Sequence, residues 1–474
     1  MAAAVSPDAA RRGLVATARF GLGARPGEIA EAARDPRGWV LQQLTPPPRP
    51  AAFADLPTGS DATARYLEQR RVIAQARAQP AQQAQPAQKE VQPMPAAELR
   101  RLVAGGAGLP REIYQREVGA RLRVQIETAT PVYERLVAFW SNHFTVSVVR
   151  PPVLTLAGAF EREAIRPHVL GRFEDMLLAA SRHQAMLLYL DNAASIGPGS
   201  RIGQARERGL NENLAREILE LHTLGVDGGY GQDDVRALAL LITGWSIARP
   251  QEPNAGAFRF RPFAHEPGAK ALLGRTYAQG GEAEGAQALR DLAHHPATAK
   301  HLATKLARHF IADDPPEQSV ERLAQAYRRS GGDLLAVTRA LVEDEAAWTH
   351  GFGKVRAPNE LVIAALRALA ADTLDDRRLL GALRRLGQPP FAAPSPAGWP
   401  DSAADWVGPE ALMRRIEWAS ALAARVAAVR APMALFEETI GPIASAQTRQ
   451  AVERAPSARD GIALVFAAPE FQRR

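Results

Sequence analysis

The chain has 474 residues, 46% hydrophobic and 23% charged, the proportions of a folded globular protein. Its net charge of +7 rests almost wholly on arginine, since only five lysines are present, and those arginines are dispersed among acidic residues rather than gathered into the stripe a nucleic-acid binder needs. The absence of cysteine excludes disulfides, thiolate metal sites and thiol nucleophiles, and no apolar run approaches the roughly eighteen residues of a membrane span.

Residues 14–44 read as two short helices around GLGARPGE, and Arg19 cuts the preceding apolar stretch too short for a secretory signal. Residues 1–77 are expected to form an N-terminal helical part. The low-complexity run AQPAQQAQPAQKEVQPMP, residues 78–95, reads as a linker or loop insertion. From 96 to 474, apolar positions recur at helical spacing between short Gly/Pro breaks, as in a main helical domain. FRFRPF, residues 258–263, alternates and is predicted to lie in a small β-hairpin. With alanine abundant and β-branched residues sparse, the expected fold is all-α and irregular.

Several segments carry candidate chemistry. Thr130-Pro131 opens a helix in which Leu136, Phe139, Trp140, His143 and Phe144 fall on one stripe, so His143 is expected to be buried. Asp191 and Asn192 end a helix, where they either cap locally or point into a pocket. His265 follows in a loop with Glu266 and Lys270. His295-Pro296 is a helix start, after which His301, Lys305 and His309 share a face, read as surface or packing. HExxH, GxSxG, GxxxxGK and GxGxxG are all absent from the sequence.

The densest polar run is LNENLAREILELHTLGVDGGY, residues 210–230. Asn211 is expected to cap a helix over 212–224, Glu212 to sit in its first turn, and Gly225 to end it in the left-handed region. At about 100° per residue, Asn213, Arg216, Glu217 and Glu220 share one face with an Arg216–Glu220 ion pair. His222 falls about 140–160° from the glutamates, among the apolar residues, and is expected in the core. The polar face is either solvated or part of a site.

WSNHF (140–144), IRPHVLGRF (165–173), YLDN (189–192), the 210–230 run, LITGW (241–245), HEPGAKALLG (265–274), HPATAKHLATKLARHF (295–310) and PAGWPDSAADW (396–406) resemble the bacterial domain-of-unknown-function family numbered 1800. The resemblance runs from ARFGLGARP almost to the C-terminal end, and it implies one family unit where length alone suggests several domains. It implies no established reaction. Members are often encoded beside a sulfatase-like family, a candidate partner, and many are exported. Here the opening motif begins by residue 18, leaving no room for a signal peptide, so a cytoplasmic location is expected.

The family pattern often has phenylalanine at His222, which favours a packing role there. It matches this chain at Asn142, His143, Asp191, Asn192, Asn211, Glu212, Asn213, Arg216, Glu217 and Glu220. Two functions follow as expectations. One is a metal-dependent enzyme, in which Glu217, Glu220 and Arg216 are catalytic and His143, Asp191 and His265 hold a divalent metal. Asn142, Asn192, Asn211, Glu212 and Asn213 complete its pocket. The other is a non-catalytic helical scaffold that binds a protein partner.

Overall fold

A computed structural model describes residues 6–82, 96–206, 209–370 and 375–474. Helices dominate, and the described β-structure is two small antiparallel sheets of two strands each. The first sheet pairs β1 (Trp245–Ile247) with β2 (Phe258–Phe260). The alternation of FRFRPF therefore marks a strand of a small antiparallel pair, as expected, and its partner begins at Trp245, the last residue of LITGW. The second sheet, β3 (Lys270–Leu272) with β4 (Arg275–Tyr277), has no alternating signal in the sequence. Its turn residues Leu273 and Gly274 both have positive φ, 48° and 73°, as a two-residue type I′ hairpin demands.

The helix starts follow proline chemistry. Pro131, Pro296 and Pro358 each occupy the first turn, where a missing N–H is no loss. The expected starts at Thr130 and His295 are both present, with different caps. His295 accepts from the Ala297 amide at 3.2 Å, whereas the Thr130 side chain makes no cap bond. The 78–95 segment is described only at its beginning. Residues 78–82 finish the Gly59–Gln82 helix, and 83–95 lie outside the described residues.

The largest apolar core runs from Val15 to Trp348. A second cluster packs the Pro358–Ala368 helix against helices between Pro409 and Gln472. A third packs the same helix against the Ala96–Glu127 helix. The Pro358–Ala368 helix is thus apolar on more than one side, and its arginine must be satisfied internally. Arg367 is fully buried and donates to the carbonyls of Gly23, Ile126 and Thr128 and to Glu28. Arg19 is equally buried and donates to the carbonyls of Ala347, His350 and Gly351. Arg135, Arg356, Arg415 and Arg474 are buried as well. These buried arginines are therefore structural, tying distant segments together.

The 212–224 helix departs from expectation in a way that matters for the site. An α-helix covers only Asn213–Glu217, and a π-helical turn, Ile218–His222, completes it. The 100° wheel therefore fails beyond Glu217. The π turn closes on the Thr223 hydroxyl, which donates to the Ile218 carbonyl at 2.6 Å. Gly225 has φ 84°, in the expected left-handed region, and its amide reaches the Leu219 carbonyl.

Candidate functional site

A cleft of about 500 Å³ opens between the ends of the Pro131–His143 and Pro296–Phe310 helices, the start of the Pro358–Ala368 helix and the loop around Trp399–Asp405. That volume suits a small organic molecule. Its wall is built by residues far apart in sequence. The Asn142 side chain pairs with one backbone unit of the loop, accepting from the Trp399 amide at 2.8 Å and donating to the Trp399 carbonyl at 2.9 Å. Gly398 has φ 85°, and a Cβ there would sit 2.5 Å from the Asn142 carbonyl oxygen. Glycine at this position is what lets the loop come close enough for the Asn142 clamp.

The clamp sets Asp401 against His309. The His309 Nδ1–H donates to Asp401 at 2.9 Å, and its Nε2 is buried without a partner. Burial holds this imidazole below its ordinary pKa although Asp401 pulls the other way, so it is neutral with a free Nε2 lone pair. Burial alone would raise the Asp401 carboxyl, but His309, Lys354 and Arg474 outweigh it and hold it well below the usual carboxylate range. Lys354, almost fully buried, reaches Asp313 at 2.6 Å and Asp401 at 3.2 Å. Deeper in the wall, Glu360 pairs with Arg135 and with Arg474 Nε at 2.9 Å.

Lys305 lies one helical turn before His309 and also lines the cleft. Among the described residues it makes no hydrogen bond or ion pair. Burial lowers its pKa to about 8, and Arg308 adds to the effect while Asp401 opposes it. The carboxylates of Glu360, Asp401 and Asp313 already serve Arg135, Arg474 and Lys354. Among the described residues, the Lys305 ammonium and the exposed Arg308 guanidinium are the cations of the cleft left without a carboxylate.

Beneath the cleft, the π turn accounts for His143. A π turn leaves carbonyls that the helix does not satisfy. The Nε2–H of His143 donates to the His222 carbonyl at 3.1 Å, and that of His301 donates to the Leu221 carbonyl at 3.0 Å. His143 is 1% exposed, as its stripe position implies, and so is His222. The His143 ring lies 6.0 Å from that of His222 and 6.3 Å from that of His301.

The other sequence candidates lie elsewhere. Asp191 pairs with Arg150 at 2.5 Å in a half-exposed contact, and its carbonyl accepts from Asn211 at 3.5 Å. The helix starts one residue later than expected, with Glu212 rather than Asn211 at the N-cap, and the Asn211 side chain accepts from the Asn213 amide at 2.9 Å. Arg216 turns back to Glu212 at 3.5 Å and donates to Gln232 at 2.8 Å, not forward to Glu220, because the π turn carries Glu220 away. Asn192 is buried, donating to the carbonyls of Ile242 and Trp245. His265 is buried in a third place, bonded to Glu284 beside Lys270, with Nδ1 donating to the Thr243 carbonyl at 2.8 Å. His143, Asp191 and His265 are therefore not brought together. Among the described residues no three histidine, aspartate or glutamate side chains stand as metal ligands would.

Glu217 and Glu220 are half-buried neighbours of Tyr189 and Tyr230. Burial and then Glu220 raise the Glu217 carboxyl above its ordinary pKa, against Arg216. A raised carboxyl costs stability above its unfolded pKa, so Glu217→Gln is expected to leave stability unchanged or improve it by up to about 0.5 kcal/mol at pH 7 after solvent screening. Urea unfolding of the variant reads this directly; a clear loss would reveal a partner for the carboxylate.

A family model described as "Protein of unknown function (DUF1800)" matches residues 15–473. The chain belongs to this family. No curated protein and no solved structure matches it. The family motifs are not equal in the fold. WSNHF, HPATAKHLATKLARHF and PAGWPDSAADW meet at the cleft, while YLDN and the 210–220 run meet at the Asp191–Glu212 surface. Lys305, His309 and Asp401 are legible only in part from sequence. The i, i+4, i+8 row is visible, but nothing local indicates that a loop ninety residues later closes over it.

Proposed function

We propose that the cleft is the functional site of this protein and that it takes a small anionic organic molecule, with Lys305 and Arg308 drawing the anion in and His309 accepting a proton. The observation that carries the reading is Lys305: an unpaired lysine in a formed cleft where Glu360, Asp401 and Asp313 are already committed to other cations and Asp405 is bonded to the Ser402 hydroxyl. A lysine without a counter-ion inside a cleft is unfavourable unless something else supplies the negative charge. The His309–Asp401 pair adds an oriented, neutral base at the same wall. The alternative expected from the sequence, a metal held by His143, Asp191 and His265, has no comparable support, since those three are engaged separately.

The test is calorimetric titration of the full chain with phosphate, sulfate, acetate and succinate at pH 7 and pH 9. At least one is expected to bind. Its affinity should fall about tenfold or more in Lys305→Ala, and it should weaken as pH rises through about 8, where the ammonium is lost. Absence of binding by all four, or equal binding by wild type and variant, overturns the reading.

A further inference from the structure

We propose that the Lys305 amine is a nucleophile that condenses with the carbonyl of an aldehyde or ketone acid to form a Schiff base, with His309 as its proton carrier. This rests on the reading of the cleft as an anion site and names its substrate class: a small carboxylate that also carries a carbonyl carbon.

Lys305 and His309 stand one turn apart on the Pro296–Phe310 helix, so their side chains are neighbours on one face, and both line the cleft. Lys270 and Lys354 are bound to carboxylates, at Glu284 and at Asp313, and Lys300 is exposed on the same helix. Lys305 alone of these four combines a cleft position with the absence of an ion pair. Its surroundings disfavour a fixed ammonium. His143 and His222, both buried, and the half-buried His301 are neutral imidazoles that all sense its charge, Arg308 repels it, and Asp401 is occupied by His309, Lys354 and Arg474. An amine so placed has a sizeable neutral fraction near pH 8.

The step needs no oxidant or reductant and takes up one proton from solvent. The Nζ lone pair of the neutral amine forms the C–N bond while the carbonyl π pair moves to oxygen. His309 Nε2 takes a proton from the new ammonium and returns it to that oxygen, giving a carbinolamine. A second proton from solvent lets the hydroxyl leave as water, and the nitrogen lone pair closes the C=N bond of the iminium. Arg308 is placed to hold the carboxylate of the same molecule.

The test uses glyoxylate with sodium cyanoborohydride on the full chain at pH 7, followed by peptide mass mapping. Reduction should leave one carboxymethyl group on Lys305. The rate should exceed that at exposed Lys300 by about tenfold or more, because burial in the cleft enlarges the neutral fraction of the Lys305 amine. Lys305→Arg should keep anion binding and lose the adduct. His309→Gln should slow labelling of Lys305 and leave Lys300 unchanged. Should a variant fail to fold, the Lys305-to-Lys300 ratio in the wild-type chain decides alone. Labelling of Lys305 no faster than Lys300, with anion binding intact, overturns the nucleophile and leaves the anion site standing. Loss of anion binding as well overturns both.

Discussion

Glu360→Gln should be the most damaging single change near the cleft, lowering the free energy of unfolding by about 3–5 kcal/mol. The Glu360 carboxylate is the shared counter-ion of Arg135 and Arg474, and it accepts from the Ala357 amide at the start of its own helix. Arg135 is 2% exposed and also donates to the carbonyls of Gly21 and Ala18, so it cannot swing out to water. Arg474 is 1% exposed and donates to the His309 carbonyl at 2.7 Å. Burial alone would raise the Glu360 carboxyl, but Arg135 and Arg474 hold it well below the usual range. A neutral amide in its place leaves two buried guanidinium groups facing each other without a charge between them. The exposed pair Arg414–Glu410 is the control, and Glu410→Gln should change stability by less than about 0.5 kcal/mol. Urea midpoints of both variants, at unchanged slope, read the contrast. A drop below about 1 kcal/mol for Glu360→Gln would mean that water reaches the network.

The contrast between what the sequence disclosed and what it withheld is physical. Helix starts at Pro131 and Pro296, the burial of His143 and His222, and the left-handed Gly225 follow from local chemistry, and each is where that chemistry puts it. The π turn at 218–222 is not local in cause. Two imidazoles from other helices satisfy the carbonyls of Leu221 and His222, which makes the wider turn tolerable, and no wheel drawn on one segment contains that information. The cleft is hidden for the same reason. Asn142, Lys305, His309, Glu360 and Asp401 come from three helices and a loop, and each is ordinary in its own window. Polar density drew attention to 210–220 because those residues are consecutive, yet Arg216, Glu212 and Gln232 bond to one another there at a partly exposed surface.

His222→Phe is expected to stabilise the protein, increasingly so as pH falls. Both ring nitrogens of His222 are buried without a partner, and the ring packs 5.0 Å from Phe144. Burial, then Lys305 and His301, lowers its pKa to about 3, while an unfolded histidine titrates near 6.5. Between those values the unfolded chain binds a proton that the folded chain does not. The contribution of His222 to stability is therefore fully present above about pH 6.5 and is lost as pH falls toward 3. His301, lowered to about 4, and His143, held well below its ordinary pKa by burial, add losses of the same sign. Phenylalanine removes one such loss together with two unsatisfied polar atoms, the latter being worth about 1–3 kcal/mol at any pH. The larger ring works against this by crowding Phe144, at about 1–3 kcal/mol, so the offset at pH 7 is the less informative quantity. The diagnostic is the change in that offset, which should grow by up to about 1.4 kcal/mol for each pH unit below 6.5 because packing does not titrate. Guanidinium or thermal unfolding of both proteins at pH 7.5, 6 and 5 measures it, those three values being chosen to straddle the unfolded pKa at about 6.5. A gap constant across the series would show that His222 takes up its proton in the folded chain, and the neutral imidazole nest beneath Lys305 would then have to be abandoned.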